Sequence, residues 1–445
     1  MPPRALALPT RAHARAAVVG AALCAAVAML PGVPATAAGT AGPGSGPSPG
    51  SGAGRYAFAE GARPVAARTS TTDAERLTPG TSYTSSLPGT GKVYYRLELD
   101  DTSNAYVAAT AVPRAGRTVT AGDGIRVSVQ DADGNSCSFD SATVGPSRSP
   151  HPVTAVGTRE TRTTRVLCQA GGTYYLVVER ITGTDSSPGT WDLELSPVLE
   201  PRLRQATATS APETWNSASA QPLPGDPRRC RGGLGFASAT PLTEGVWRDD
   251  IRPGQTLFYA VPLGWGRQPY ATVELGNSSG GKGFVPGALN VSLHNPVRAE
   301  IENTGVTYDG NQRSATLQPV PPVSYPNRYA VADRVNTMRF AGSYYLVVNL
   351  SAQVADRFGD APVGLTLRVR IKGGTLSGPG YDGPAEPAGI FGDTARDGQT
   401  AAGNGASGGD ATMRLVAAGG IGAGTVLLVA LGAWTALARR RPGER

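Results

Sequence analysis

The chain has 445 residues, a formal net charge of +7, 17% charged and 6% aromatic residues, and is dense in Gly (59) and Pro (37). Three arginines near the start (Arg4, Arg11, Arg15) and a net four near the finish (Arg414, Arg439, Arg440, Arg441 and Arg445 against Glu444) account for the whole surplus. The middle is therefore neutral, and the basicity points to membrane insertion rather than to a nucleic-acid surface.

Residues 1–38 have the layout of a secretory signal peptide: basic residues, the apolar run "AAVVGAALCAAVAML", then small residues at Ala35 and Ala37. The run is about 15 residues, short against the ~20 that a bilayer needs. Cys24 lies in it behind Leu23, where a lipoprotein signal needs a small residue. Residues 39–67, opening on "GTAGPGSGPSPGSGAG", read as a flexible leader.

From 68 to 200 the apolar residues alternate. "VYYRLELD" puts Tyr95, Leu97 and Leu99 on one face and Arg96 and Glu98 on the other, and "IRVSVQ" does the same with Ile125, Val127 and Val129. "LPGTG" (87–91) matches a sortase signal but stands far upstream of any C-terminal anchor, so it reads as the turn before a strand. "LELDDTSNA" lacks the second serine of an adhesive-domain metal site, having Ala105 there. "DADGN" offers Asp131, Asp133 and Asn135 at the spacing of a calcium loop, but position 142 is Ala where an EF-hand needs Glu. A hairpin turn is the preferred reading, with a structural calcium ion kept as the metal alternative and no other cofactor expected. Cys137 and Cys168 fall in this segment and are expected to form a disulfide, leaving Cys230; a pairing through Cys230 stays open.

A linker, 201–233, leads to a second β segment, 234–372, that repeats the first in order. "LTPG" matches "LTEG", "LPGTGKVYYRLEL" matches "IRPGQTLFYAVPL", "IRVSVQDADG" matches "LNVSLHNPV", "GGTYYLVVE" matches "AGSYYLVVN", and "WDLELS" matches "LTLRVR". Five ordered matches imply a duplicated domain, all-β, as two tandem antiparallel sandwiches. Around its start lie Trp215, Trp247, Trp265 and Tyr270; Trp265, on a Gly-flanked turn, reads as a stacking platform for a sugar or partner side chain or, preferably, as a plug at the end of the sandwich, and Trp247, Trp265 and Tyr270 are the candidate ligand contacts. His151 and His294 have no partner at metal-ligand spacing, and no catalytic residue is assigned.

Residues 373–412, rich in Gly, Ala, Pro and Asp, read as a disordered stalk. They precede a transmembrane helix at 413–438, whose uncharged 415–437 stretch would span roughly 34 Å, and a basic cytoplasmic tail at 439–445. Gly420 and Gly424 form a GxxxG pair suited to a homodimer.

The order of a "PG" turn, a Tyr-rich strand, a "V-x-V/L" strand with a polar turn and "GxYYLVV" resembles the bacterial pre-peptidase C-terminal domains. "GVWRDDIRPGQTLFYAVPLGWG" is similar to repeats in membrane-anchored actinobacterial proteins that carry a von Willebrand factor A domain. The resemblance implies jelly-roll-like sandwiches that accompany secreted peptidases without catalysing. The expected protein is a single-pass type I membrane protein, its ectodomain a non-catalytic module binding an extracytoplasmic protein or cell-wall glycan. The alternative is an envelope hydrolase or peptidase inhibitor with a loop-built site.

Overall fold

A computed structural model describes residues 55–392 except 162–166, 206, 213 and 222. The signal peptide, the start of the leader, the far part of the stalk, the 413–438 segment with Gly420 and Gly424, and the basic tail lie outside the described residues. Among the described residues no helix is long and apolar enough to cross a membrane.

Alternating apolar residues separated by Gly and Pro turns give eight long strands in each copy. The first holds β1 (Tyr83–Leu87), β2 (Lys92–Leu99), β3 (Asn104–Val112), β4 (Gly124–Asp131), β5 (Ser136–Thr143), β6 (Val153–Arg159), β7 (Gly172–Ile181) and β8 (Trp191–Glu200). The second holds β9 (Gly245–Ile251), β10 (Thr256–Leu263), β11 (Gln268–Leu275), β12 (Val285–His294), β13 (Glu300–Tyr308), β14 (Arg313–Thr316), β15 (Gly342–Leu350) and β16 (Val363–Lys372). Sheet orders are β1-β8-β3-β6 and β2-β7-β4-β5 in the first, β9-β16-β11-β14 and β10-β15-β12-β13 in the second. Each sheet also carries a two-residue parallel strand at one edge, from Arg63, Glu75, Arg228 and Thr240 respectively. This eight-strand, two-sheet order is the jelly roll, and both copies have it complete.

The registers confirm the duplication. Val93 and Val127 both face Val178, as Leu257 and Val291 both face Val348. Tyr174 donates its hydroxyl to Ala170 O at 2.6 Å and Tyr344 to Phe340 O at 2.7 Å, so both "YYLVV" strands are pinned alike. One motif match shifts: Leu195 pairs with Tyr83 and Leu367 with Trp247, which makes Leu193, not Trp191, the counterpart of Leu365. The slip is two residues, an even number, so the predicted inward face of the strand is unchanged.

Each sandwich has its own apolar core, around Leu97, Val127, Leu176 and Leu195 in the first and Val261, Val291, Leu346 and Leu367 in the second. Cys137 on β5 and Cys168 ahead of β7 are disulfide-bonded, joining the edge strand of one sheet to the chain that re-enters it, while Cys230 is unbonded. Closing such a loop removes denatured-state entropy amounting to about 4 kcal/mol.

The copies pack against each other. Strand β3 is buried on both faces: Val107 and Ala109 point into the first core, while Tyr106 and Ala108 join Val156, Val198, Val297, Phe340 and Phe391 in a cluster between the domains. The face of β1-β8-β3-β6 that a lone sandwich would leave in water is thus covered by the outer face of β10-β15-β12-β13 and its loops. Glu194 and Glu200 of β8 are both fully buried in this contact. Glu194 pairs with Arg298, and Glu200 with Arg328 at 2.6 Å; nearby, Glu160 pairs with Arg339 at 2.7 Å. Burial alone would raise the Glu200 pKa, but Arg328, with Asn104, holds it below the usual carboxylate value.

Two segments expected to be loose belong to this assembly. In the leader, Tyr56 donates to Glu194 and packs edge-on against Phe258, and Arg63–Pro64 extends a sheet. In the stalk, residues 373–392 fold back: Tyr381 donates to Glu200 Oε1 at 3.1 Å, Glu386 bridges Leu199, and Phe391 stacks on Phe340. Their sparse aromatics found apolar surface on the folded domains, which composition alone does not reveal.

Removing one partner leaves a buried, uncompensated charge, so Arg328→Ala is expected to cost about 3–5 kcal/mol in urea unfolding. Arg328→Met combined with Glu200→Leu is expected to fall closer to wild type. A single-mutant cost under about 1 kcal/mol would show the pair to be solvated.

Candidate functional site

Three of the positions singled out in the sequence do not converge. Trp265 is 5% exposed and belongs to the second core, with Gly378 passing so close that a Cβ there would meet the indole at 2.1 Å. The segment after β16 covers it, and Leu376 N donates to its carbonyl at 2.9 Å. Trp247 is half-buried, gives its indole N–H to Thr243 O at 3.0 Å and lies 3.9 Å beneath the Arg228 guanidinium. Tyr270, on the outer face of β11, has Lys372 at 5.4 Å.

Asp131, Asp133 and Asn135 form the β4–β5 turn. Asp131 Oδ1 accepts from the backbone N–H groups of Asp133 and Asn135 at 3.1 and 2.8 Å, and Oδ2 from the Asn135 side chain at 3.0 Å. The second copy repeats the turn with Asn295, whose Oδ1 accepts from Val297 and Ala299. Gly134 (φ 84°) and Arg298 (φ 66°) take the left-handed conformation at the equivalent place. The Asp131 carboxylate is thus committed to its own turn. Among the described residues no group of three or more His, Cys, Asp or Glu is placed to hold a metal ion.

The site that the structure does build is a cleft of about 430 Å³ where the two jelly rolls fail to close on each other. One wall is the outer face of β10, β15 and β12: Thr256, Phe258, Asn290, Ser292, His294, Val347 and Asn349. Facing it are Asp140 to Val144 and His151 to Thr154 of the first domain, with Phe236, Glu300 and Asn303 at the margins. Hydrogen bonds from Ser351 Oγ to Ser147 O (3.3 Å) and from Ala352 N to Ser149 Oγ (2.9 Å) hold the domains together beside it.

Both described histidines stand here. His294 Nδ1 lies 3.1 Å from Arg298 O, which can only accept a hydrogen bond, so Nδ1 carries the hydrogen and Nε2 accepts from Ser292 Oγ at 2.9 Å. The edge of Phe236 meets the imidazole at 5.6 Å between centroids. His151 donates from Nδ1 to Ser149 O at 2.8 Å. Burial pulls both imidazole pKa values down; at His294 it prevails over the upward pull of Glu300 and Asp140, with Arg298 adding to the depression. Burial also raises the pKa of Asp140, although Val156 N and Ser141 N donate to its two oxygens. Asn349 is 3% exposed; its amide donates to Gln255 O and Thr256 Oγ1, while its Oδ1 has no partner.

Ser292 donating to a neutral, backbone-oriented imidazole is the arrangement from which a serine nucleophile can be activated. Sequence reasoning passed over these residues because His151 and His294 lie on different domains. The signal that finds them is a comparison of the copies. The registers equate Thr256, Asn290, His294 and Asn349 with Lys92, Arg126, Gln130 and Glu179, and Lys92 and Arg126 both pair with Glu179 on the open face of the first domain.

No protein-family model matches the chain, and no curated protein is a significant match. Solved structures with matching chains include the CUB1-EGF-CUB2 domain of human MASP-1/3, at 10% identity, 64% of this chain, 95% of that chain and a TM-score of 0.16. The CBM22-1-CBM22-2 tandem domain from Paenibacillus barcinonensis Xyn10C is 9% identical over 66% of this chain and 91% of that one, with a TM-score of 0.18. A putative secreted protein from Parabacteroides distasonis is 7% identical over 69% and 92%, with a TM-score of 0.15. At such TM-scores these likenesses carry no argument, and the jelly-roll assignment rests on strand order and register.

A neutral buried histidine opposes acidification. With the folded pKa below the unfolded one, the unfolded state takes up protons first as pH falls through about 6.5, and stability declines. The melting temperature is expected to fall between pH 7 and pH 5, and less steeply in His294→Gln, which installs the residue that the first copy carries as Gln130. An equal slope in both proteins would remove His294 from the account.

Proposed function

We propose that the protein is a non-catalytic extracytoplasmic binding module, carried on a single-pass membrane anchor, whose ligand seat is the cleft between two pre-peptidase C-terminal-like jelly rolls. The observation that carries this reading is the polar cleft itself, where the second copy keeps hydrogen-bonding side chains free of the salt bridges that occupy the same positions in the first. A seat between domains locked by buried ion pairs is rigid, so binding loses little to ordering of the protein. The partner is an extracytoplasmic protein or cell-wall glycan. The test is photocrosslinking in cells with a diazirine side chain at Asn290, set against the same group at Arg126, its counterpart on the open face. A discrete adduct at 290 that is missing at 126 is expected. Equal labelling at both positions would mean that the cleft has no special affinity.

A second reading, an envelope hydrolase, is favoured by one observation, the 2.9 Å contact between Ser292 and His294. Under that reading a fluorophosphonate probe labels Ser292, and both Ser292→Ala and His294→Gln abolish the labelling. An unlabelled wild-type protein would leave the pair a structural hydrogen bond.

A further inference from the structure

The chemistry of the cleft lining narrows what it can hold. Among the described residues no Lys or Arg lines it, while Asp140 and Glu300 both do. The two imidazoles are buried, each with Nδ1 on a backbone carbonyl, and burial lowers the pKa of both. An anionic ligand would meet two carboxylates and no cation, so it is disfavoured. Ser292, Thr154, Thr256 and the Asn349 amide are bonded within the protein, but a purely apolar ligand would leave the Asn290 side chain and the Asn349 Oδ1 without hydrogen bonds. Those groups present both donors and acceptors, with Phe236 and Phe258 beside them as ring surfaces. At about 430 Å³ the space lies toward the small end of ordinary ligand pockets. The unpartnered Oδ1 of Asn349 is a buried acceptor that an incoming hydroxyl or amide N–H would satisfy.

We infer that the cleft binds a neutral, hydroxyl-rich ligand, a saccharide of one or two residues. The inference rests on the cleft being the ligand seat, and it specifies the ligand class. It also accounts for the difference between the copies: an Arg, Lys or Glu at 290, 256 or 349 would occupy the space and impose a charge, and those are the residue types at the equivalent positions of the first domain.

The chain has three histidines, and two of them, His151 and His294, line the cleft, so their imidazole NMR signals report its occupancy. Full-length protein is titrated with N-acetylglucosamine, its β-1,4-linked dimer, cellobiose, glucuronic acid and glucosamine. The expected result is saturable movement of both imidazole signals with at least one neutral sugar, and at least tenfold weaker binding of glucuronic acid. Asn290→Arg and, separately, Thr256→Lys should each weaken neutral-sugar binding at least tenfold with little change in melting temperature; should one variant fail to fold, the other still decides. If only glucuronic acid or only glucosamine moves the signals, the ligand class is wrong and the seat stands. If no probe moves either signal, the saccharide assignment falls, and an adduct in the Asn290 crosslinking test would still uphold the seat.

Discussion

The molecule depends on the burial of Glu194 and Glu200 against the arginines of the second domain. Both are fully buried, and both lie on the side of β8 that an isolated jelly roll would turn to water. Without Arg298 and Arg328 two carboxylates would sit uncompensated in apolar surroundings. With them, the contact has a fixed register, because charge pairs and hydrogen bonds to Asn104, Tyr106 and Tyr381 admit one arrangement. Such a network contributes more to uniqueness than to net stability, while the ring clusters around Tyr106 and Phe340 supply apolar burial.

The contact is head-to-tail. One face type of the first jelly roll meets the other face type of the second, a geometry that in principle continues into longer arrays. Both remaining faces are closed to continuation. On the first domain, Lys92, Arg96, Glu98, Arg126 and Glu179 charge the surface that corresponds to the docked one. On the second, the linker lies across the face, with Asn216 O accepting from Gln268 and Leu223 O from Arg368. Terminal units of repeat proteins commonly need such polar or covered caps. The cleft lies within this contact where the second copy has the uncharged Thr256, Asn290 and Asn349 in place of the first copy's Lys92, Arg126 and Glu179.

Much of the fold was legible because strand alternation is a local signal. Tyr95, Leu97 and Leu99 declare an inward face whatever else the chain does, and the ordered repeats of "YYLVV" and its neighbours declare the duplication. Trp265 and Tyr381 show the limit. A Trp on a Gly-flanked turn fits both a ligand platform and a plug until the segment that covers it is seen, and a lone Tyr in a Gly- and Pro-rich stretch looks idle until a buried carboxylate needs its hydroxyl. Neither partner is near in sequence, so no window of residues contains the information.

The sequence by itself determined that the described chain is two copies of one sandwich, with the strands, their inward faces and the turn at Asp131 set by period-two alternation and by Gly, Asn and Asp at the corners. Only the tertiary structure decided which outward face meets water. Alternation separates the inside of a sandwich from its outside, but it does not distinguish an outside facing solvent from one facing a second domain. His151 and His294 therefore meet in one cleft through a docking contact between domains, and the strand pattern that places each of them carries no trace of the other.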